Sequence, residues 1–132
     1  MIDVSNEIFT AVAKNLREAY KGVRVIGEYV ATPPSFPCVT LDEIGNVPAH
    51  LDSAAHNKYA EVTYRVQVFS NKNGGKRSEA REIYNRVDRE LQKLGLFGVT
   101  YSTLPDVYNS EIYQITATHR GVVSENGTVY RG

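Results

Sequence analysis

A chain of 132 residues has room for one domain with a buried core, and its 42% hydrophobic and 23% charged content is that of a globular protein rather than a disordered or fibrous one. Fifteen Lys and Arg balance fifteen Asp and Glu, so no long-range field gathers phosphates, which argues against nucleic acid as the primary ligand, and near-zero charge favours assembly. The single cysteine, Cys38, excludes an intramolecular disulfide framework and a cysteine-based metal site, and no apolar run reaches the roughly 18 residues of a membrane span.

The opening Met1-Ile2-Asp3-Val4 carries an acid where a signal peptide carries bases, which predicts folding in a reducing cytoplasm. Residues 3–20 then read as an amphipathic helix. Val4, Ile8, Val12 and Leu16 recur every four residues, and Phe9 and Tyr20 widen the stripe. Asp3 is the expected cap and Lys21-Gly22 the stop.

Residues 23–30 are rich in β-branched side chains and predict a first strand. Pro33, Pro34 and Pro37 remove three backbone donors, so 31–37 must be an extended connector or an edge. A second strand is expected at 38–44. Residues 45–57 hold Gly45, Asn46, Pro48, His50 and His56 without periodicity, which predicts a long loop of the kind that is usually functional.

The clearest strand is 59–70, with Ala60, Val62, Tyr64, Val66 and Val68 alternating against Glu61, Thr63, Arg65 and Gln67. Its length suits the centre of a sheet. A turn at 71–77 follows, with Ser78 as the expected cap of the second helix. In that helix Ala80, Ile83, Tyr84, Val87, Leu91 and Leu94 make one apolar face, and Gly95 ends it with Leu96 folding back on Leu91. Residues 97–103 predict a fourth strand and 104–109 a turn. A fifth strand at 111–123 puts Tyr113, Ile115 and Ala117 on one side. Asn126-Gly127 is the strongest hairpin signal, joining Val122-Val123 to Thr128-Val129-Tyr130.

The order α-β-β-β-α-β-β plus a C-terminal hairpin arm predicts an α+β fold, an α/β sandwich. Its mostly antiparallel sheet of about five strands carries both helices on one face. No repeat or second domain is visible, and 1–132 reads as a single domain.

No catalytic constellation emerges. Strand, Gly74-Gly75-Lys76 and helix imitate a phosphate loop. However, Ser70 stands where the first glycine is needed and Arg77 where the magnesium-binding hydroxyl belongs, so a turn with a basic edge is the better reading. His50, Asp52 and His56 match no familiar metal spacing and read as solvated loop residues. Cys38 begins a strand beside Pro37, with no helix N-terminus to activate it, and reads as a small buried hydrophobe. Asp42 and Glu43 are adjacent in a strand and leave opposite faces, so they form no catalytic pair. Glu82 and Arg86 are spaced to pair on the outer face of the second helix. No cofactor, metal or catalytic residue is expected, and the chain reads as a structural subunit rather than an enzyme.

Taken together, the segments resemble a known family, the tail terminator (tail completion) proteins of long-tailed bacteriophages and prophages. The resemblance lies in Pro34-Ser35-Phe36-Pro37-Cys38-Val39-Thr40-Leu41-Asp42-Glu43 and in Tyr64-Arg65-Val66-Gln67-Val68-Phe69-Ser70-Asn71. It extends to the helix from Ser78-Glu79-Ala80-Arg81-Glu82-Ile83-Tyr84 through Val87-Asp88 to Leu94-Gly95, and to Tyr113-Gln114-Ile115 with Tyr130-Arg131. It implies a homo-oligomeric ring, usually of six subunits, on the end of a completed tail tube. Such a ring stops polymerisation and docks the tail to the head, with the tail tube protein and a head-completion or neck protein as partners. DNA would only pass through the lumen, no membrane is involved, and the protein would reside in the virion after assembly in the bacterial cytoplasm. The candidate subunit and partner interface comprises three projections: the loop with His50, Asp52 and His56, the turn Asn73-Gly74-Gly75-Lys76-Arg77, and the arm with Asn126, Gly127, Tyr130 and Arg131. Another phage neck or tail component, or a small-ligand-binding α/β domain, is the alternative that the residues leave open.

Overall fold

The computed structural model describes residues 5–31, 33–49, 59–105, 112–124 and 129–130. Helix α1 spans Ser5–Ala19 and buries Ile8, Val12, Ala13 and Leu16, as its four-residue stripe requires. It closes with the Tyr20 amide donating to the Leu16 carbonyl at 2.8 Å, and Gly22 then takes a left-handed φ of 82°. The expected cap Asp3 and the first stripe residue Val4 lie outside the described residues.

The strands are β1 (Arg24–Ile26), β2 (Cys38–Ala49), β3 (Tyr59–Ser70), β4 (Phe97–Pro105), β5 (Tyr113–Ser124) and β6 (Val129–Tyr130), with helix α2 (Lys76–Lys93) between β3 and β4. They form one sheet in the order β1-β2-β3-β5-β4, with β6 paired to β5 beyond the start of β4. The α+β class and the element order therefore hold, with both helices packed on one face. Strand β3 is central, as its length predicted, running antiparallel to β2 on one side and β5 on the other.

The boundaries differ from the sequence-based expectation in several elements. The first strand is only Arg24–Ile26, and it runs parallel to β2. A parallel neighbour forces the chain to travel back before β2 begins. Residues 27–31 and 33–37 lie along that return, across the sheet face opposite the helices, ending in a cis peptide between Phe36 and Pro37. On that face the Val30 amide donates to Gln67 Oε1 at 3.4 Å, and Ile26, Val30 and Phe36 cover a small second core of Cys38, Phe69 and Ile112.

The second difference lies in the predicted loop. Residues 45–49 continue β2, paired from Gly45↔Thr63 to Ala49↔Tyr59 after a bulge between Glu43 and Gly45. Gly45 and Pro48 read locally as breakers, yet β3 supplies the missing hydrogen-bond partners, and a proline is tolerated on an edge strand. Likewise Leu104 and Pro105, expected in a turn, finish β4 opposite Gln114 and Tyr113. Strand β5 begins at Tyr113 and runs one residue past its expected end, to Ser124.

The third difference is the start of α2. Gly75 rather than Ser78 is the N-cap, without a side-chain cap bond, and the Glu79 amide donates to the Gly75 carbonyl at 2.9 Å. Ser78 falls inside the first turn. At the other end the expected closure is present in full. Gly95 has φ 85°, its amide donates to the Gln92 carbonyl at 3.0 Å, and the Leu96 amide donates to the Leu91 carbonyl at 2.9 Å.

The main core lies between helices and sheet. Val39 and Leu41 of β2, Val62, Tyr64, Val66 and Val68 of β3, and Ile115 and Ala117 of β5 meet Ile8, Val12 and Leu16 of α1 and Ile83, Val87 and Leu91 of α2. Between the helices, Arg86 donates to Asn15 Oδ1 at 3.2 Å, Asn15 donates to Glu90 Oε2 at 3.2 Å, and the guanidinium lies 5.7 Å from the Tyr20 ring. Arg86 thus turns to α1 rather than to Glu82, because a neighbouring helix offers an amide acceptor and an aromatic face together.

Candidate functional site

The sheet sets where the three sequence-predicted projections depart. Ala49 and Tyr59, which flank residues 50–58, pair with each other, and Tyr59 also pairs with Ser124, from which the C-terminal arm departs. The loop with His50, Asp52 and His56 and the arm with Asn126, Gly127 and Arg131 therefore leave from one end of the sheet, although these residues themselves lie outside the described ones. Tyr130 is described in β6, opposite Val122.

The turn with Asn73, Gly74, Gly75, Lys76 and Arg77 follows Ser70, at the other end of β3. Twelve residues of β3 at about 3.3 Å each separate the two ends by roughly 35 Å. Gly74 has φ 76°, and the Gly75 amide donates to the Lys72 carbonyl at 3.2 Å, which folds residues 71–78 around a shallow recess. Below the turn, the Ser70 hydroxyl donates to Glu79 Oε1 at 2.7 Å and accepts from the Lys72 amide at 3.3 Å. The points from which the loop and the arm depart thus share one end of the sheet, and the Gly-rich turn lies at the other.

Beyond the small second core, the face opposite the helices carries polar side chains that pair with one another. Arg65 grips Asp42 with two hydrogen bonds, at 2.7 and 3.3 Å, and the Tyr29 ring lies 4.5 Å from the guanidinium. Thr40 donates to Gln67 at 2.7 Å, Thr100 and Thr118 share a bond at 2.7 Å, and Arg120 meets Glu61 at 3.3 Å. Asp42 and Glu43 do leave opposite faces, for Glu43 accepts from Tyr64 at 3.3 Å instead. Cys38 is buried and free, and burial pushes its thiol pKa up against the opposing charge of Arg24.

One polar cluster escaped the sequence reading. His119 is fully buried on the helix side of β5, with Nε2 3.0 Å from the Tyr84 hydroxyl and Nδ1 3.8 Å from the Asp88 carboxylate. Burial lowers the His119 pKa, with Asp88 and the Leu96 backbone opposing, and burial raises Tyr84 to about 12. The period-two pattern of β5 was the available signal, since it puts residue 119 on the same side as Ile115 and Ala117. Among the described residues no three acidic, histidine or cysteine side chains gather to hold a metal ion, and no helix is long and apolar enough to cross a membrane.

Two strands bound the sheet laterally. Strand β1 covers β2 only from Cys38 to Thr40, leaving the outer edge of residues 41–49 without a strand among the described residues. The outer edge of β4 is likewise without one. Ile44 and Val47 on β2, and Phe97, Val99 and Tyr101 on β4, are all between 47% and 59% exposed.

Comparison with known proteins agrees with this architecture. The model of the family described as tail completion protein gp17 matches residues 7–128. No curated protein matches the chain. Among 29 matching chains of solved structures is one from the virion of a native gene transfer agent particle. It is 18% identical with a TM-score of 0.64, over 94% of this chain and 99% of that one, which is a likeness of fold.

Proposed function

The chain belongs to the tail completion protein gp17 family, and on that premise we propose that it is the ring-forming subunit, six copies to a ring, that terminates the tail tube and joins it to the head. The observation that carries this reading is the separation of its projections. The loop and C-terminal arm leave one end of the sheet and the Gly-rich turn the other, about 35 Å away by strand length. A subunit standing between a tube and a head needs a contact set at each end, and projections that depart from opposite ends of one sheet support that reading.

In this role residues 1–132 act as one tail-terminator domain with no catalytic function. Its partners are other copies of itself, the tail tube protein and a head-completion protein. It works within the virion after assembly in the host cytoplasm, and DNA passes through the lumen without being gripped. A net charge of zero suits such passage, because every phosphate held would have to be released again. The candidate contacts remain those of the three projections, including Asn73, Lys76 and Arg77 at one end and Tyr130 at the other.

The test is a loss of the gene in cells assembling the tail. Abnormally long or headless tails are expected by electron microscopy. Tails of normal length joined to full heads would rule the reading out.

A further inference from the structure

We infer that neighbouring copies join edge to edge, the outer edge of β4 in one copy adding to the outer edge of β2 in the next, so that one sheet runs through the joint. This rests on the ring reading above and names the surface that closes it.

Strand β4 is the starting point. Its nine residues, Phe-Gly-Val-Thr-Tyr-Ser-Thr-Leu-Pro, contain no charge, and its only proline is the last residue. Exposed edges are ordinarily blunted with lysine, interior proline or shortness, because unpaired N–H and C=O groups recruit other strands. A long uncharged edge rich in β-branched and aromatic residues is the opposite arrangement, and it calls for a partner.

The matching edge belongs to the same chain. The uncovered part of β2, residues 41–49, is also nine residues long, and its one proline, Pro48, stands next to its end and leaves 41–47 free of proline. Its two carboxylates are engaged inside the subunit, Asp42 by Arg65 and Glu43 by Tyr64, so they do not oppose a neighbour with free charge.

The two edges overlap in level. Through the pairs of β3 and β5, Leu41, Asp42, Glu43 and Gly45 share rows of the sheet with Tyr101, Thr100, Gly98 and Phe97, so a pairing along the whole of both edges, with Val47 beside Val99, takes an offset of about four residues between neighbouring copies. Each edge has one bulge, between Glu43 and Gly45 on β2 and between Gly98 and Thr100 on β4, in adjacent rows. Those bulges hold the exposed Ile44 and Val99.

Polarity agrees. Strands β2 and β5 run one way and β3 and β4 the other. A rotation that keeps neighbouring sheets in the same orientation therefore sets β4 antiparallel to the next β2, the pairing that hydrogen-bonds best. Because the two edges are different surfaces, the contact is head-to-tail, the kind that builds a ring when its rotation closes, rather than a two-fold dimer.

The experiment uses the full chain with two edge variants, Val47→Lys on β2 and Val99→Lys on β4. Both side chains are exposed, so melting temperatures should stay at the wild-type value. Each variant alone should remain monomeric by native mass spectrometry at concentrations where the wild type forms rings. Mixed together they should give a one-to-one dimer, since each retains the edge that the other has lost. Rings from either variant alone, or no dimer from the mixture, would overturn the pairing while leaving the ring reading intact. A wild type that forms no ring, even on tail tubes, would remove both. Amide exchange gives a second readout on unmodified protein. The outward-facing amides within 41–47 and 97–104 should become protected on ring formation, and unchanged exchange there would overturn the pairing.

Discussion

The Tyr84 hydroxyl and Nε2 of His119 lie 3.0 Å apart across the seam between α2 and β5. Tyr84 comes from the apolar stripe of a helix and His119 from the buried side of a strand, so each is the polar exception on its own face. A buried pair of this kind holds the helix at one position along the strand, because sliding would strand both polar atoms.

That seam makes stability dependent on pH. Burial puts the folded-state pKa of His119 below its ordinary value of 6.5. On acidification the unfolded chain therefore takes up a proton that the folded chain resists. The His119 contribution is complete above about 6.5 and is lost as pH falls below it, since stability rises with pH wherever the unfolded state binds more protons. Thermal melts between pH 7.5 and 5 should show a falling transition temperature, and His119→Gln should flatten the slope in that window. An unchanged slope in the variant would assign the effect to other groups.

Gly121 is required by close approach rather than by its backbone angle. A Cβ there would stand 2.5 Å from Leu96 Cδ2 and 2.7 Å from the Gly95 carbonyl oxygen. Gly95 and Leu96 are fixed by the hydrogen bonds that close α2, so they cannot retreat. Gly121→Ala should cost about 1–3 kcal/mol in chemical denaturation, as overpacking does. Gly98→Ala, whose Cβ would meet only His119 Cε1 at an ordinary 3.7 Å, should cost far less. Equal losses would mean that the α2–β4 turn yields more readily than its hydrogen bonds suggest.

The C-terminal arm separates folding from assembly. Within it, β6 pairs with β5 through two residues only, so removing 125–132 should leave the melting temperature nearly unchanged. If the arm is one of the contacts at its end of the sheet, the shortened protein should fail to cap tail tubes in reconstitution. Capping at wild-type efficiency would remove the arm from the interface.

How much of this was visible beforehand follows from which interactions are local. The stripe from Ala80 to Leu91, the alternation of Tyr59–Ser70 and the closing glycine at 95 each depend on neighbours within a few residues, and the chain states them outright. Residues 45–49 were legible only as a loop, since Gly45 and Pro48 break the local pattern and the hydrogen bonds that make them a strand come from 59–63. The same limit shortened β1. Its parallel alignment with β2 depends on residues 27–31 and 33–37 lying along the far face, which no period in 23–30 records. His119 and Arg86 looked like a strand polar residue and a surface cation until Tyr84 and Asn15 arrived beside them. The sequence by itself determined the elements, the two-layer plan and the family resemblance, because periodicity and turn chemistry are short-range. Only the tertiary structure decided which polar residues are buried, which projections share an end and which edges stay open, because those depend on pairings between segments far apart in the chain.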